Sequence, residues 1–152
     1  MFALNSIKVN YTERPNNVQG SPVLSWTYVQ SPKQKQVSYR ILVSSSQSNE
    51  ADYWDSGVIA SSKMFDVHYE GKTLDSRKKY FVKVITTNQN GETASLETSF
   101  YTTLREKEWL GKWVSLPESF HGSSLLLRKK IEIKDKPIKQ AFVYIAAIGY
   151  HD

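Results

Sequence analysis

Residues 79–103 read Lys-Tyr-Phe-Val-Lys-Val-Ile-Thr-Thr-Asn-Gln-Asn-Gly-Glu-Thr-Ala-Ser-Leu-Glu-Thr-Ser-Phe-Tyr-Thr-Thr, and the fold is decided there. Across Lys79–Asn88, Tyr80, Val82 and Val84 oppose Phe81, Lys83 and Ile85, the two-residue period of a strand with one face in a core. Asn90-Gly91 then predicts a short hairpin, because type I′ turns need φ > 0 and Asn-Gly tolerates it. Thr93–Thr103 returns as the partner strand.

The same rhythm recurs upstream. Leu4–Tyr11 predicts a first strand, closed by the turn-like Arg14-Pro15-Asn16-Asn17. Val23–Val29 predicts a second, with Leu24, Trp26 and Tyr28 on one face. In Gln36–Ser46, Val37, Tyr39, Ile41 and Val43 alternate with Ser38, Arg40 and Leu42, so the valine and tyrosine face is core. Ser44–Asp52 is a polar, serine-rich loop. Tyr53–Ile59 and Met64–Tyr69 follow, the latter with Phe65, Val67 and Tyr69 in phase. Turn residues every 8–12 positions and almost no helical period give an all-β class. Seven strands in 1–103 predict an immunoglobulin-like or fibronectin type III sandwich of two antiparallel sheets.

Beyond it, 104–112 is densely charged and reads as a linker. Trp113–Leu116, Ser124–Ile133 and Ala141–Gly149 predict the first strands of a second, incomplete sandwich over 113–152. Ala141–Tyr150 is nearly all apolar, as in a strand covered on both faces. It is expected to seek a partner strand, by packing on the first unit or in a homodimer.

Composition removes whole classes of function. The chain has 152 residues, 39% hydrophobic and 23% charged, enough for a core without metals or disulfides. Without cysteine there is no thiolate zinc site and no cysteine nucleophile. The formal charge of +5 is spread thinly, with 11 Lys+Arg against 9 Asp+Glu in 1–103. No basic stripe of the kind nucleic acid demands is present. No apolar run spans a membrane, and Met1–Lys8 lacks a basic start followed by a long apolar stretch. A cytoplasmic location, with neither nucleic-acid nor membrane partner, is expected. His68, His121 and His151 stand far apart, so no metal is expected. No phosphate loop or nucleophile elbow occurs, and no cofactor is expected.

The candidate side chains each carry two readings. In Trp54-Asp55-Ser56-Gly57, Asp55 and Ser56 bond nearby backbone N–H groups while Gly57 supplies φ > 0, a fixed polar turn. Alternatively Trp54 stacks on a sugar ring and Asp55 accepts its hydroxyls. The turn is favoured, because it explains all three polar or flexible residues at once. Trp26 is core, between the sheets. Tyr80, six residues after Leu74, fits a tyrosine corner, its phenol bonding upstream backbone. Trp109 and Trp113 are expected to seal the junction of the two units, with ligand stacking by Trp109 as the alternative. Asp55, Asp66, Glu70, Asp75 and Glu92 sit beside turns or on wet faces, with no cleft to raise an acid's pKa, so no catalytic residue is assigned.

One resemblance runs through these segments. Tyr39–Ser45, Trp54-Asp55-Ser56-Gly57, Tyr69-Glu70-Gly71-Lys72-Thr73-Leu74 and Tyr80–Val84 resemble, in order, the N-terminal region of bacterial α-L-rhamnosidases, family 78 of the glycoside hydrolases. Phe100-Tyr101-Thr102 is similar to the family's Phe-x-Thr closing strand. Trp109-Leu110-Gly111-Lys112-Trp113-Val114 is similar to its entry into the next sandwich, and Leu127-Arg128-Lys129 and Ala141–Tyr150 to that sandwich's first strands. The resemblance implies a fibronectin-like domain and the start of a second sandwich, with the family's catalytic (α/α)₆ barrel further downstream. It implies a non-catalytic accessory region that packs against or orients that barrel, with carbohydrate contact open. The alternative is a free-standing carbohydrate-binding or protein-binding module.

Overall fold

A computed structural model describes residues 2–29, 35–47, 50–115, 127–133, 135–138 and 140–146. The chain divides into two compact units, Met1–Glu108 and Trp109–Asp152.

The first unit is an antiparallel β-sandwich. Strands β1 (Leu4–Val9), β2 (Val23–Tyr28) and β5 (Val67–His68) form one sheet in the order β1-β2-β5. Strands β4 (Trp54–Asp55), β3 (Gln36–Ser44), β6 (Lys79–Asn88) and β7 (Thr93–Tyr101) form the other, in the order β4-β3-β6-β7. The fourth strand pairs with the third, whereas in a constant-type immunoglobulin domain it lies in the opposite sheet. Along β6 every second residue is buried, from Tyr80 to Asn88. These side chains meet Val9, Leu24, Trp26, Ile41, Val43 and Phe100 in one core. Trp26 stands edge-on to Tyr39 at 5.2 Å, and Tyr80 stacks on Phe100 at 5.6 Å.

Several strands differ in detail from the expectation, each for a local reason. The β6–β7 turn is a three-residue loop rather than a type I′ pair. Gly91 alone takes positive φ (80°), and its N–H returns to the Asn88 carbonyl. The Asn88 side chain fixes the loop by accepting the N–H groups of Asn90 and Glu92, both at 2.9 Å. In β3 a bulge between Gln36 and Ser38 reverses the expected faces: Gln36 is buried and Val37 is 45% exposed. Phe65 leaves the phase of Val67 and Tyr69 because Asp66 adopts φ 53°. Tyr53–Ile59 pairs as a strand only at Trp54–Asp55, with one further bridge from Ile59 to Tyr39.

Two backbone features frame the end of β7. Residues 15–18 run beside it: the Tyr101 N–H donates to the Pro15 carbonyl and the Val18 N–H to the Tyr101 carbonyl. Residues 104–108, expected to be linker, are instead tied to the β5–β6 corner. Arg105 donates to the Leu74 carbonyl at 2.9 Å, and Ser76 Oγ donates to Glu108 at 2.6 Å. Thr102 Oγ1 donates to the Asp75 carbonyl at 2.6 Å and accepts the Lys78 N–H at 3.0 Å.

In the second unit, the described parts of the three expected strands (113–115, 127–133 and 141–146) are not in strand conformation. Their remaining residues, with His121, Gly149, Tyr150 and His151, lie outside the described residues. Trp113 is 72% exposed. The Trp109 ring meets Tyr144 edge-on at 6.5 Å. Among the described residues no helix is long and apolar enough to cross a membrane.

Candidate functional site

The Trp54–Gly57 segment is set by β3. Register pairs Val43 with Trp54 and Leu42 with Asp55, and the Ser56 N–H still donates to the Ile41 carbonyl at 3.0 Å before the chain turns at Gly57. Ser56 Oγ accepts the Ile41 N–H at 2.8 Å and donates to the Gly57 carbonyl at 2.8 Å. Gly57 takes φ 63°, a conformation in which a side chain is strained. Asp55 Oδ1 accepts both the Arg40 Nε–H and the Gly57 N–H at 2.9 Å, and Oδ2 accepts the second arm of the guanidinium. The Arg40 bonds, aided by the Gly57 N–H, hold the Asp55 carboxyl down at about 2. Both carboxylate oxygens are thus engaged by the protein itself.

Trp54 is half-buried, its ring edge-on to Tyr69 at 5.2 Å. Gly71 closes beneath it; a Cβ there would lie 2.5 Å from Trp54 Cβ and from the Tyr69 hydroxyl. Beside Trp54 is a depression of about 240 Å³ to which Ile59, Lys63, His68 and Glu70 contribute. The structure therefore brings Trp54 and Asp55 together with three polar groups that the sequence did not single out for sugar contact. His68 follows the outward phase of β5, but its proximity to Trp54 depends on how the two sheets pack. Trp109 belongs to the second unit.

A second cluster surrounds Tyr80. Its hydroxyl, fully buried, accepts the Asp75 N–H at 2.8 Å, which locks the turn into β6. Tyr53 meets the Tyr80 ring edge-on at 4.7 Å and donates to Asp75 at 2.7 Å, while Lys78 reaches both at 3.1 Å. Burial pushes the Tyr80 phenol well above its ordinary value and pushes Tyr69 up to about 12. Tyr53, then Lys78, holds Asp75 below the usual carboxylate range, and Ser76 does the same for Glu108.

These shifts run opposite to what a general acid needs. Among the described residues no three His, Asp or Glu side chains are grouped as metal ligands.

The carboxylate shifts set an expected pH response. Asp52, Asp55, Asp75 and Glu108 are all lowered in the folded chain. Their stabilisation is present above the unfolded-chain carboxylate pKa and is lost as they protonate. The urea midpoint should hold from pH 7 to about 5 and fall from about 4 towards 2. The aspartate contacts are exposed and screened, so their individual contributions are small. In a carboxyl NMR titration, Arg40→Ala should return Asp55 towards its ordinary value. An unmoved Asp55 would remove the assigned cause.

Comparison with known proteins gives a consistent result. The model for the Rha78A-like, N-terminal immunoglobulin domain matches residues 4–106. An α-L-rhamnosidase of Formosa agariphila is 33% identical over 133 residues, covering 77% of this chain and 14% of its own length. One of Streptomyces avermitilis is 31% identical over 132 residues, covering 78% of this chain and 13% of its own. The crystal structure of the Streptomyces avermitilis α-L-rhamnosidase complexed with L-rhamnose aligns with a TM-score of 0.70 at 28% identity, over 79% of this chain and 12% of that one. The α-L-rhamnosidase structure from Dictyoglumus thermophilum aligns at 0.69 and 33% identity, over 76% and 14%. The chain spans about one-seventh of the length of the curated relatives, 14% and 13%. With its two-sheet core, its Tyr80 corner and a family match over residues 4–106, the chain belongs to the family of Rha78A-like N-terminal immunoglobulin domains.

Proposed function

We propose that this chain is a non-catalytic accessory region of an α-L-rhamnosidase-type hydrolase, packing against and orienting the catalytic barrel of the longer protein. The observation that carries this reading is the family match over 4–106, which falls on a small fraction of proteins that are themselves α-L-rhamnosidases. The tied exit at residues 102–108 suits the role, since an orienting domain must hold its own end of the connection firmly.

The test is a domain exchange in the Streptomyces avermitilis relative. Replacing its matching segment with this chain should preserve rhamnoside hydrolysis and thermal midpoint, whereas deleting the segment should lower both. The 152-residue chain alone should release no rhamnose from an aryl rhamnoside. A deletion that leaves activity and midpoint unchanged would sink the orienting role.

Direct sugar contact is the second reading, favoured by half-buried Trp54 beside His68 and Glu70. Titration with L-rhamnose should quench tryptophan fluorescence in the parent and not in Trp54→Phe. A flat trace in the parent rules it out.

A further inference from the structure

Two loops of the three-stranded sheet hold exposed aromatic rings on a backbone that side chains ordinarily avoid. After β1 the chain reverses in two residues: the Val9 N–H donates to the Thr12 carbonyl at 2.9 Å, and the Thr12 N–H returns to the Val9 carbonyl at 3.1 Å. Asn10 and Tyr11 make the turn with φ of 49° and 64°, the paired left-handed conformation of type I′. Asparagine suits its first position, and Asn10 Oδ1 accepts the Val23 N–H at 2.9 Å. The second position favours glycine, yet tyrosine stands there. Beyond β2, just before β5, Asp66 is left-handed as well, at φ 53°. The Tyr11 hydroxyl donates to Asp66 Oδ1 at 2.9 Å, so the two strained positions hold one another. Tyr11 is nonetheless 66% exposed, and Phe65, beside Asp66, is 57% exposed. Neither ring belongs to the core.

Strain kept in the open marks a surface that meets something. A tyrosine whose hydroxyl is already taken offers its ring, and a phenylalanine offers nothing else, so the surface they fit is apolar and closely packed. Exposed Lys8, Glu13, Lys63, Asp66 and His68 come from the same segments and mix both signs, the pattern of an interface rim and not of a nucleic-acid or acidic-peptide site. Residues 15–18, which continue from the Asn10-Tyr11 turn, are bonded along the last residues of β7. The turn therefore belongs to the end of the sandwich from which residues 102–108 lead onward.

We propose that Tyr11 and Phe65 are the contact by which this domain docks on the rest of the longer protein, against an apolar patch of the chain beyond residue 152. The inference rests on the accessory reading above and adds which face does the docking. The matched segment is 14% and 13% of two curated relatives, so a large body of the same polypeptide is tethered within reach. Tethering raises the effective concentration, and a small patch then suffices. A second copy is a poorer occupant: two rings bury about 150–250 Å² each, well short of the roughly 800 Å² per partner of a stable complex between free chains.

The test uses the Streptomyces avermitilis relative in which this chain replaces the matching segment. With Tyr11→p-benzoylphenylalanine, irradiation should cross-link position 11 to a peptide beyond the exchanged segment, identified by mass spectrometry. In the same chimaera, Tyr11→Gly with Phe65→Ser should shorten the half-life of rhamnoside hydrolysis at elevated temperature about fivefold, the factor for losing roughly one aromatic contact. In the 152-residue chain alone the same pair should leave the urea midpoint unchanged or raise it, because glycine relieves the left-handed position. A merely local role for the two rings would lower both readouts, and that result would overturn the proposal. So would an unaltered half-life, or a cross-link found only within residues 1–152 or only to a second copy. A chimaera already inactive before any substitution would remove the accessory reading and this proposal together, whereas failure confined to the variants leaves the accessory reading standing.

Discussion

Replacing Trp26 with alanine is expected to lower the unfolding free energy by about 3–5 kcal/mol, the range for deleting a large buried ring. Trp26 has no exposed surface, lies in the middle of β2 and is packed edge-on against Tyr39. Its indole N–H also donates to Gln36 Oε1 at 3.0 Å. Truncation therefore leaves a cavity between the sheets and removes one of the two donors on a buried carbonyl. Against a total stability of about 5–15 kcal/mol for a typical domain, that loss is large. Urea unfolding followed by circular dichroism measures it directly. A cost below about 1 kcal/mol is surface behaviour and would be incompatible with the packing described.

Gln36→Leu is the second large effect, and it arises from polarity rather than volume. The Gln36 amide meets its full complement of partners. Oε1 accepts Trp26 Nε1–H and the Tyr28 hydroxyl at 3.0 and 2.9 Å, while Nε2 donates to the Ser61 and Lys63 carbonyls, both at 3.0 Å. It thereby joins β2, β3 and the segment leading to β5. Leucine fills the space but strands the buried indole N–H, and the expected cost is about 2–3 kcal/mol. In Trp26→Phe the stranded donor is already gone, so adding Gln36→Leu to it should cost less than in the parent. Strictly additive losses would mean that the two side chains stabilise the domain independently.

The position of Gln36 shows where sequence reading stops. Period two placed Val37 beside Tyr39, Ile41 and Val43, and hydrophobicity offered no reason to turn it outward. The bulge is stabilised by four hydrogen bonds whose partners come from two distant segments, β2 and residues 61–63, information that no local pattern holds. Phe65 escaped for a related reason: Asp66 is held in the left-handed region, its hydrogen bonds running to Tyr11 and Ser25. By contrast, β6 and the Tyr80 corner were legible, because a long alternating strand and a Leu-to-Tyr spacing of six encode their geometry locally. The turn at Trp54–Gly57 was legible in its residue types. The Arg40 fork on Asp55 was not, since it depends on the register of β3 against β4. The placement of His68, Glu70 and Lys63 near Trp54 follows from sheet packing and was equally hidden.

The hydrogen bonds that tie residues 102–108 to the β5–β6 corner also have a mechanical meaning. Tension entering the first unit from residue 109 meets the Glu108–Ser76 and Arg105–Leu74 bonds before it reaches β7. The load is then shared between β7 and the corner that Tyr80 locks, instead of peeling β7 from β6 one rung at a time. A tug on the C-terminal side is thus resisted by the best-buried part of the sandwich.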